Sequence, residues 1–187
     1  MLHLRAMTPD DVPSSSFSLG EGRGKGGPDN LLSGCRRHER FSESPVLRPA
    51  VEEQIPEIAR LDFEATATRR AGLLDRLYRE RPESLRVAML DGRITGYGHV
   101  RVGSRARQIG PVVARDASSG LALLDAAIGD VRGAAIYLDV PVPNVPAARW
   151  AESRGLRVQR QFTRMRRGDP VADQPEWLWA AFGPEKG

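Results

Sequence analysis

The stretch "IGPVVARDASSGLALLDAA" (residues 109–127) decides the fold of this chain. It opens with an apolar run of strand length and closes with a Leu- and Ala-rich segment of helical character. The short polar turn between them carries Asp116, a residue type that favours the position just before a helix. The stretch therefore predicts a strand that runs through a tight turn into a helix.

The turn itself has two interpretations. The first turn of a helix exposes several free N–H groups, and such an end can hold a phosphate group. Here, however, Asp116 and Ser118 stand where a phosphate loop usually carries glycine. The Asp116 carboxylate would accept the N–H bonds that a phosphate needs, and it adds a repelling charge. A cofactor site and a well-capped helix both remain open.

Upstream, the pattern from residue 46 onward predicts a strand, two helices and a three-stranded meander. The two helices show Ile55, Ile58 and Leu61, and then Leu73, Leu74, Leu77 and Tyr78, at helical spacing. Asp91-Gly92 is a strong signal for a tight hairpin between the next two strands. Pro111 cannot donate to a strand ladder, so the third strand of the meander must place it at an edge, a bulge or a splayed position.

Downstream, the pattern predicts a strand, a helix and a closing strand or hairpin, in the segments "AAIYLDV", "NVPAARWAESR" and "LRVQRQFTRMRR". The ending "EWLWAAFGPEKG" suits a last strand or a packing tail. The order is βααβββαβαβ, with one further strand possible at the end. This order predicts an α/β fold with a mixed, mostly antiparallel central sheet flanked by helices.

The first 45 residues differ from the rest. Residues 14–45 are rich in Ser and Gly without apolar periodicity, which predicts a disordered linker, or alternatively a basic arm through Arg36, Arg37, His38 and Arg40. Residues 4–13, "LRAMTPDDVP", are similar to residues 47–56, "LRPAVEEQIP". We interpret residues 1–13 as the remnant of a module start and residues 46–187 as one folded domain.

Composition narrows the class of protein. The 187 residues include a single cysteine, so no disulfide framework can form within one chain, and we expect a cytoplasmic protein. The three histidines are too dispersed for a metal cluster, and no apolar run is long enough for a membrane span. The net charge is +4, but the arginines are scattered among acids, which disfavours nucleic-acid binding. A modestly basic surface is compatible with an anionic cofactor.

Two stretches resemble the GNAT superfamily of acyl-CoA N-acyltransferases. The cofactor motif of that family is Arg or Gln, two residues, Gly, one residue, then Gly or Ala, with a Leu pair further along the helix. Arg115, Gly120, Leu123 and Leu124 fall in register with it, while Ser118 replaces its first glycine. In "NVPAARWAESRGL" the matching positions are Asn144, Ala147 and Gly155, whereas Ala151 replaces the usual Tyr and Leu156 the usual aromatic residue.

The likeness is closer to one branch of the superfamily. "IGPVVARD", "YLDVPVPNVPA", "RMRRG" and the ending "FGPEKG" resemble the second half of a tandem, YitH-type GNAT protein. The resemblance covers residues 46–187, and residues 1–13 resemble the opening of a first half that is largely missing.

The resemblance implies a site for acetyl-CoA as acyl donor. Helix N–H groups after Arg115 would hold the pyrophosphate, and a backbone N–H at Val112 or Val113 would polarise the thioester carbonyl. The implied cofactor-binding residues are Val112, Val113, Arg115, Ser118, Gly120 and Asn144. No catalytic residue is assigned, because Ala151 stands where the family has a tyrosine. His99, Asp139 and Glu152 could act as acids or bases, but each is also explained by a structural role.

The resemblance thus implies an N-acetyltransferase that acts by direct transfer from acetyl-CoA to an amine, on a small molecule or a protein. The alternative is a catalytically degenerate GNAT-like domain that binds a ligand or a partner, which Ser118 and Ala151 favour. The sequence does not set the oligomeric state, and a homodimer remains open.

Overall fold

A computed structural model describes residues 2–6, 44–103, 106–131, 133–165 and 167–183. They form eight strands and four helices: β1 (Leu2–Ala6), β2 (Val46–Pro49), α1 (Ile55–Thr66), α2 (Ala71–Glu80), β3 (Leu85–Leu90), β4 (Arg93–Val102), β5 (Arg107–Ala114), α3 (Ala117–Asp130), β6 (Ile136–Val140), α4 (Val145–Ser153), β7 (Leu156–Gln161) and β8 (Leu178–Ala180). The predicted linker lies almost wholly outside the described residues. No helix within them is long and apolar enough to cross a bilayer.

The predicted element order from β2 onward is confirmed, with small shifts at the ends. The first helix starts later than its pattern suggested, because a short 3-10 turn (Glu52–Gln54) precedes it and Pro56 then fits its first turn. Asp91 and Gly92 both have positive φ and form the hairpin turn between β3 and β4. The strand predicted after α4 ends at Gln161, and the ending of the chain contributes the strand β8.

One sheet contains all eight strands, in the order β2-β3-β4-β5-β6-β1-β7, with β8 paired to β5 outside that path. Only the β5–β6 pair is parallel, so the sheet is mixed and mostly antiparallel, as predicted. The strand β1 lies between β6 and β7 and is antiparallel to both. Residues 2–6 thus belong to the same sheet as the strands from residue 46 onward.

Helices cover both faces of the sheet. Leu123, Leu124 and Trp150 of α3 and α4 pack in one apolar cluster. Ile58, Leu61, Leu74 and Leu77 of α1 and α2 pack in the other. Successive residues of a strand point to opposite faces, so β5 contributes Val112 to the first cluster and Val113 to the second. Burial on both faces explains why the β5 sequence is an unbroken apolar run rather than an alternating one.

Candidate functional site

A bulge in β5 opens the sheet next to the predicted turn. In the β4–β5 ladder Val100 pairs with Ile109 and Gly98 with Val112, so two residues, Gly110 and Pro111, lie opposite one. The parallel pairing of β5 with β6 reaches only to Ile109. The predicted bulge or splayed position of Pro111 is confirmed. Beyond it, a cleft separates the last residues of β5 from β6.

The end of the chain fills that cleft. We call residues 175–182 the C-terminal segment; it consists of a 3-10 turn, β8 and two further residues. Leu178 pairs with Val113 and Ala180 with Val112 in antiparallel fashion. On the other side, the Ala181 N–H donates to the Asp139 carbonyl of β6 over 2.7 Å. The segment therefore bridges the two strands that the bulge parts.

Asn144 anchors this segment from the start of α4. Its side-chain carbonyl accepts the Ala147 N–H at 3.0 Å and caps the helix. Its amide nitrogen donates to the carbonyls of Glu176 at 2.9 Å and Leu178 at 3.1 Å. With 1% of its surface exposed, Asn144 has both amide donors occupied by the C-terminal segment.

Trp179 lies between β5 and α3. Its indole N–H donates to the Ala114 carbonyl at 3.3 Å, and the residue is 2% exposed. A Cβ placed on Gly120 would lie 2.0 Å from the indole. The absence of a side chain at Gly120 therefore makes room for Trp179, which is a structural reason for a glycine that the family resemblance assigns to the cofactor.

The turn before α3 is closed by its own side chains. The Asp116 carboxylate accepts the Ser119 N–H at 2.8 Å, the Ser118 hydroxyl at 2.6 Å and the Ser119 hydroxyl at 2.9 Å. Burial alone would raise the pKa of Asp116, but these hydrogen bonds outweigh it and hold the pKa below its ordinary value. A charged carboxylate thus occupies the end of α3 where an anion would otherwise dock.

Arg115 is also engaged. It forms an ion pair with Glu64 of α1, and its guanidinium lies 5.3 Å from the centre of the Trp177 ring. Both side chains of the ion pair are partly exposed, so the pair is weak and a stronger anion can displace Glu64. Among the predicted cofactor residues, Arg115 is therefore the one whose present contacts are most readily exchanged.

Neither position 151 nor Tyr97 offers an accessible group for proton transfer. Ala151 is buried in the core, where it replaces the tyrosine of the family. Tyr97 is buried and donates to Asp62, which Arg70 also binds; burial first, and then the Asp62 charge, raise the pKa of Tyr97 well above its usual value. Tyr97 therefore belongs to a buried structural network that sequence reasoning missed.

His99, a candidate base, lies in the sheet opposite the bulge. Its Nε2 is 2.8 Å from the Ser84 hydroxyl, while its buried Nδ1 has no hydrogen-bond partner among the described residues. Burial, with Arg101 and Arg81 nearby, lowers the pKa of His99 to about 4. His99 is thus neutral at physiological pH, and the contact with Ser84 gives it a structural role.

Two cavities lie at the ends of the C-terminal segment. One of about 210 Å³ is lined by Leu73, Leu77, Glu80, Arg101 and Phe182, where the segment leaves the cleft. A smaller one of about 40 Å³ touches Leu178 and is lined by Thr66, Arg70 and Asp173 among others. Both border the face that α1 and α2 cover.

A strand splayed by a bulge and followed directly by a helix, within a sheet covered on both faces, is the α/β arrangement expected from the resemblance to acyl-CoA N-acyltransferases. Residues 58–180, about two thirds of the chain, match the family described as acetyltransferase (GNAT) domain. The chain belongs to this family, and the superfamily assignment made from sequence is confirmed. No curated protein matches the sequence.

Solved structures share the fold. A presumed acetyltransferase from Pyrococcus horikoshii aligns with a TM-score of 0.58 and 21% identity, over 78% of this chain and 46% of that one. Ard1 from Thermoplasma volcanium aligns with a TM-score of 0.51 and 25% identity, over 60% and 82%. A GCN5-related N-acetyltransferase from Sphaerobacter thermophilus aligns with a TM-score of 0.51 and 19% identity, over 84% and 48%. This chain spans about half the length of the first and third of these proteins.

Acyl-CoA does not fit the cleft in the described arrangement. The C-terminal segment lies along Val112 and Val113, the Trp179 indole covers Gly120, and the Asp116 carboxylate accepts the Ser119 N–H in the first turn of α3. The residues that the resemblance assigns to the cofactor are thus brought together in one place, but their contacts are made to the chain itself.

Proposed function

We propose that this chain is an N-acetyltransferase that uses acetyl-CoA as donor and an amine as acceptor, and that it acts from an arrangement in which the C-terminal segment has left the cleft. The observation that carries the proposal is the scaffold itself: the bulge at Gly110 and Pro111 parts β5 from β6 directly before α3. Membership of the GNAT family supports the same reaction class.

The proposed site uses the residues that the resemblance assigns. With the segment displaced, Val112 and Val113 would offer backbone groups along β5, and the first turn of α3 would face the pyrophosphate. Arg115 would exchange Glu64 for a phosphate, which forms stronger charge-assisted hydrogen bonds. Ser118, Gly120 and Asn144 line the same region. The proposed acceptor is an amine on a small molecule or a protein. No general base is assigned.

A second candidate is a non-catalytic GNAT-fold module that binds a partner. The observation that favours it is the burial of Trp179 and Phe182 on the segment that fills the cleft, together with Ala151 in the core. A module with a permanently filled cleft would keep the fold and lose the cofactor. Fold alone does not decide between the two candidates.

Thermal melting with and without acetyl-CoA separates them. Ligand at about 100 times its dissociation constant stabilises a protein by roughly 2.7 kcal/mol, so the acetyltransferase proposal predicts a clear rise in Tm at millimolar acetyl-CoA. Equal concentrations of ATP serve as the control for general anion binding. An unchanged Tm, together with no release of CoA thiol in the presence of amine acceptors, would contradict the acetyltransferase proposal and favour the non-catalytic module.

A further inference from the structure

The C-terminal segment follows β5 over the whole length of the proposed cofactor cleft. At one end the Trp177 ring lies against Arg115, beside the start of α3. At the other end the Ala181 carbonyl approaches so closely that a Cβ on Gly110 would lie 2.1 Å from it. Between these ends β8 pairs with Val112 and Val113. The segment therefore extends from the proposed phosphate position to the bulge.

The segment contacts nearly every residue that the resemblance assigns to the cofactor. It meets Val112 and Val113 by strand pairing, Arg115 by ring contact, Gly120 through Trp179, and Asn144 through two hydrogen bonds. Ser118 is the exception, since its hydroxyl binds Asp116. Two occupants that need the same five residues cannot be present together.

The segment also offers the kinds of groups that bound CoA would offer to β5. Strand β8 supplies peptide N–H and C=O groups to the open side of β5, where a buried backbone group without a partner would be costly. The extended arm of CoA contains two amide groups, so it can satisfy the same strand edge. The indole and phenyl rings of Trp179 and Phe182 fill the remaining apolar space.

Its short strand and irregular connection allow it to leave as a unit. β8 has three residues, and the described residues between β7 and the 3-10 turn at Pro175 form no regular helix or strand. Local openings of such weakly structured segments require less free energy than global unfolding. The burial of Trp179 at the same time makes the closed arrangement the dominant one.

We infer that the C-terminal segment is an internal competitor of acyl-CoA: it occupies the cofactor cleft in the closed state and must leave before the cofactor binds. The identity of the competing ligand rests on the proposed function. The apparent dissociation constant of acetyl-CoA is then its intrinsic value divided by the fraction of open molecules. Any change that fixes or loosens the segment shifts this fraction.

A reversible tether tests the competition in the full chain. Facing residues on antiparallel strands have Cα atoms about 4.5–5.5 Å apart, a separation that a disulfide spans. We would introduce Val112→Cys with Ala180→Cys, in a Cys35→Ser background, and measure acetyl-CoA binding by calorimetry before and after reduction. The matched control is Val102→Cys with Arg107→Cys, a facing pair at the far end of β5 that leaves β8 free.

Oxidation of the Val112–Ala180 tether is expected to weaken acetyl-CoA binding by about 10-fold or more, because it removes the open state. Oxidation of the control pair is expected to leave binding unchanged. Equal affinity of the oxidised and reduced forms of the Val112–Ala180 variant would overturn the inference and, with it, the need for an open arrangement, while the acetyl-CoA-dependent reaction of the proposed function would stand.

A loosened variant covers the case in which the wild-type chain stays too closed to bind measurably. Ala181→Pro removes the N–H that donates to Asp139, and Trp179→Phe is the milder change if the proline variant does not fold. Hydrogen exchange reports whether β8 opens, and affinity for acetyl-CoA should rise by about 10-fold. A segment that opens without any gain in acetyl-CoA binding would contradict the proposed function, and the competition with it.

Discussion

At the scale of single residues, the presence of glycine at position 120 has two explanations. In the family motif this glycine lets the backbone approach a phosphate, whereas in the structure it accommodates the Trp179 indole. The two explanations make different predictions for stability, since only the second requires the small residue in the absence of any ligand.

Gly120→Ala is expected to destabilise the protein by about 1–3 kcal/mol, the usual cost of overpacking a core. Denaturant unfolding without ligand measures the effect. Gly129→Ala is the matched control in the same helix: apart from its chain neighbours and the local helix backbone, no described atom lies within 4 Å of its Cβ position, so it should be neutral or stabilising by up to about 1 kcal/mol. If both variants behave alike, Trp179 does not pack as described.

His99 makes stability depend on pH. Its pKa is about 4 in the folded protein against an ordinary value of 6.5, so between these values the unfolded chain binds the additional proton. Stability is full above pH 6.5 and falls as the pH drops toward 4, by up to about 3 kcal/mol.

His99→Gln should remove this pH dependence while keeping a donor for Ser84. Urea unfolding of both proteins at pH 7 and at pH 4.5 gives the comparison, and the difference between them cancels the titration of carboxylates common to both. A wild-type and variant protein that lose the same stability over this range would show that His99 is not the responsible group.

At the scale of elements, the Asp116 cap stabilises the start of α3 and at the same time blocks the proposed phosphate position. Asp116→Ala removes the cap and should cost about 1 kcal/mol of stability. The same change removes a negative charge from the proposed phosphate position and should tighten acetyl-CoA binding. Asp116→Asn separates the two effects, because asparagine keeps an oxygen that can accept the Ser119 N–H but carries no charge.

Chemical denaturation and acetyl-CoA titration of the two Asp116 variants provide the measurements. The asparagine variant should lose less stability than the alanine variant and bind acetyl-CoA more tightly than the wild type. Weaker binding in both variants would refute the idea that the carboxylate competes with the phosphate.

Local sequence patterns predicted the elements well at positions where a residue type strongly favours one backbone conformation. The Asp91-Gly92 turn, the placement of Pro111 at a bulge and the cap at Asp116 all follow from backbone chemistry that tertiary contacts rarely override. The role of the C-terminal segment did not follow, because "WLWAAF" suits a strand without indicating its partner. The available signal was its unbroken apolar run, which is typical of a segment that is buried on both faces.

At the scale of the whole molecule, the fold class was predictable and the place of β1 was not. The order of elements from residue 46 implies the mixed sheet, since each step is a local connection. The strand β1 enters between β6 and β7 from a distant part of the sequence, and nothing in a pattern of ten residues specifies such a pairing. The proposed site depends on this arrangement, because β6 forms one wall of the cleft.

The strand β1 should therefore hold the outer half of the sheet together. Leu4 faces Leu138 of β6 and Val158 of β7 in the two ladders. Leu4→Pro removes a backbone donor from an interior strand, which proline does not tolerate, and should cost about 1–3 kcal/mol. Leu4→Val keeps the N–H and is the control.

Hydrogen exchange locates the effect of this substitution. Protection should fall in β6 and β7 of the Leu4→Pro variant and remain in β3 and β4, which β1 does not touch. Because Asp139 of β6 also accepts the Ala181 N–H, loosening β6 should release the C-terminal segment and raise the affinity for acetyl-CoA in the same variant. Unchanged protection of β7 would mean that β1 does not occupy the interior of the sheet in solution. It would also contradict the proposed effect of β1 on the cleft through β6.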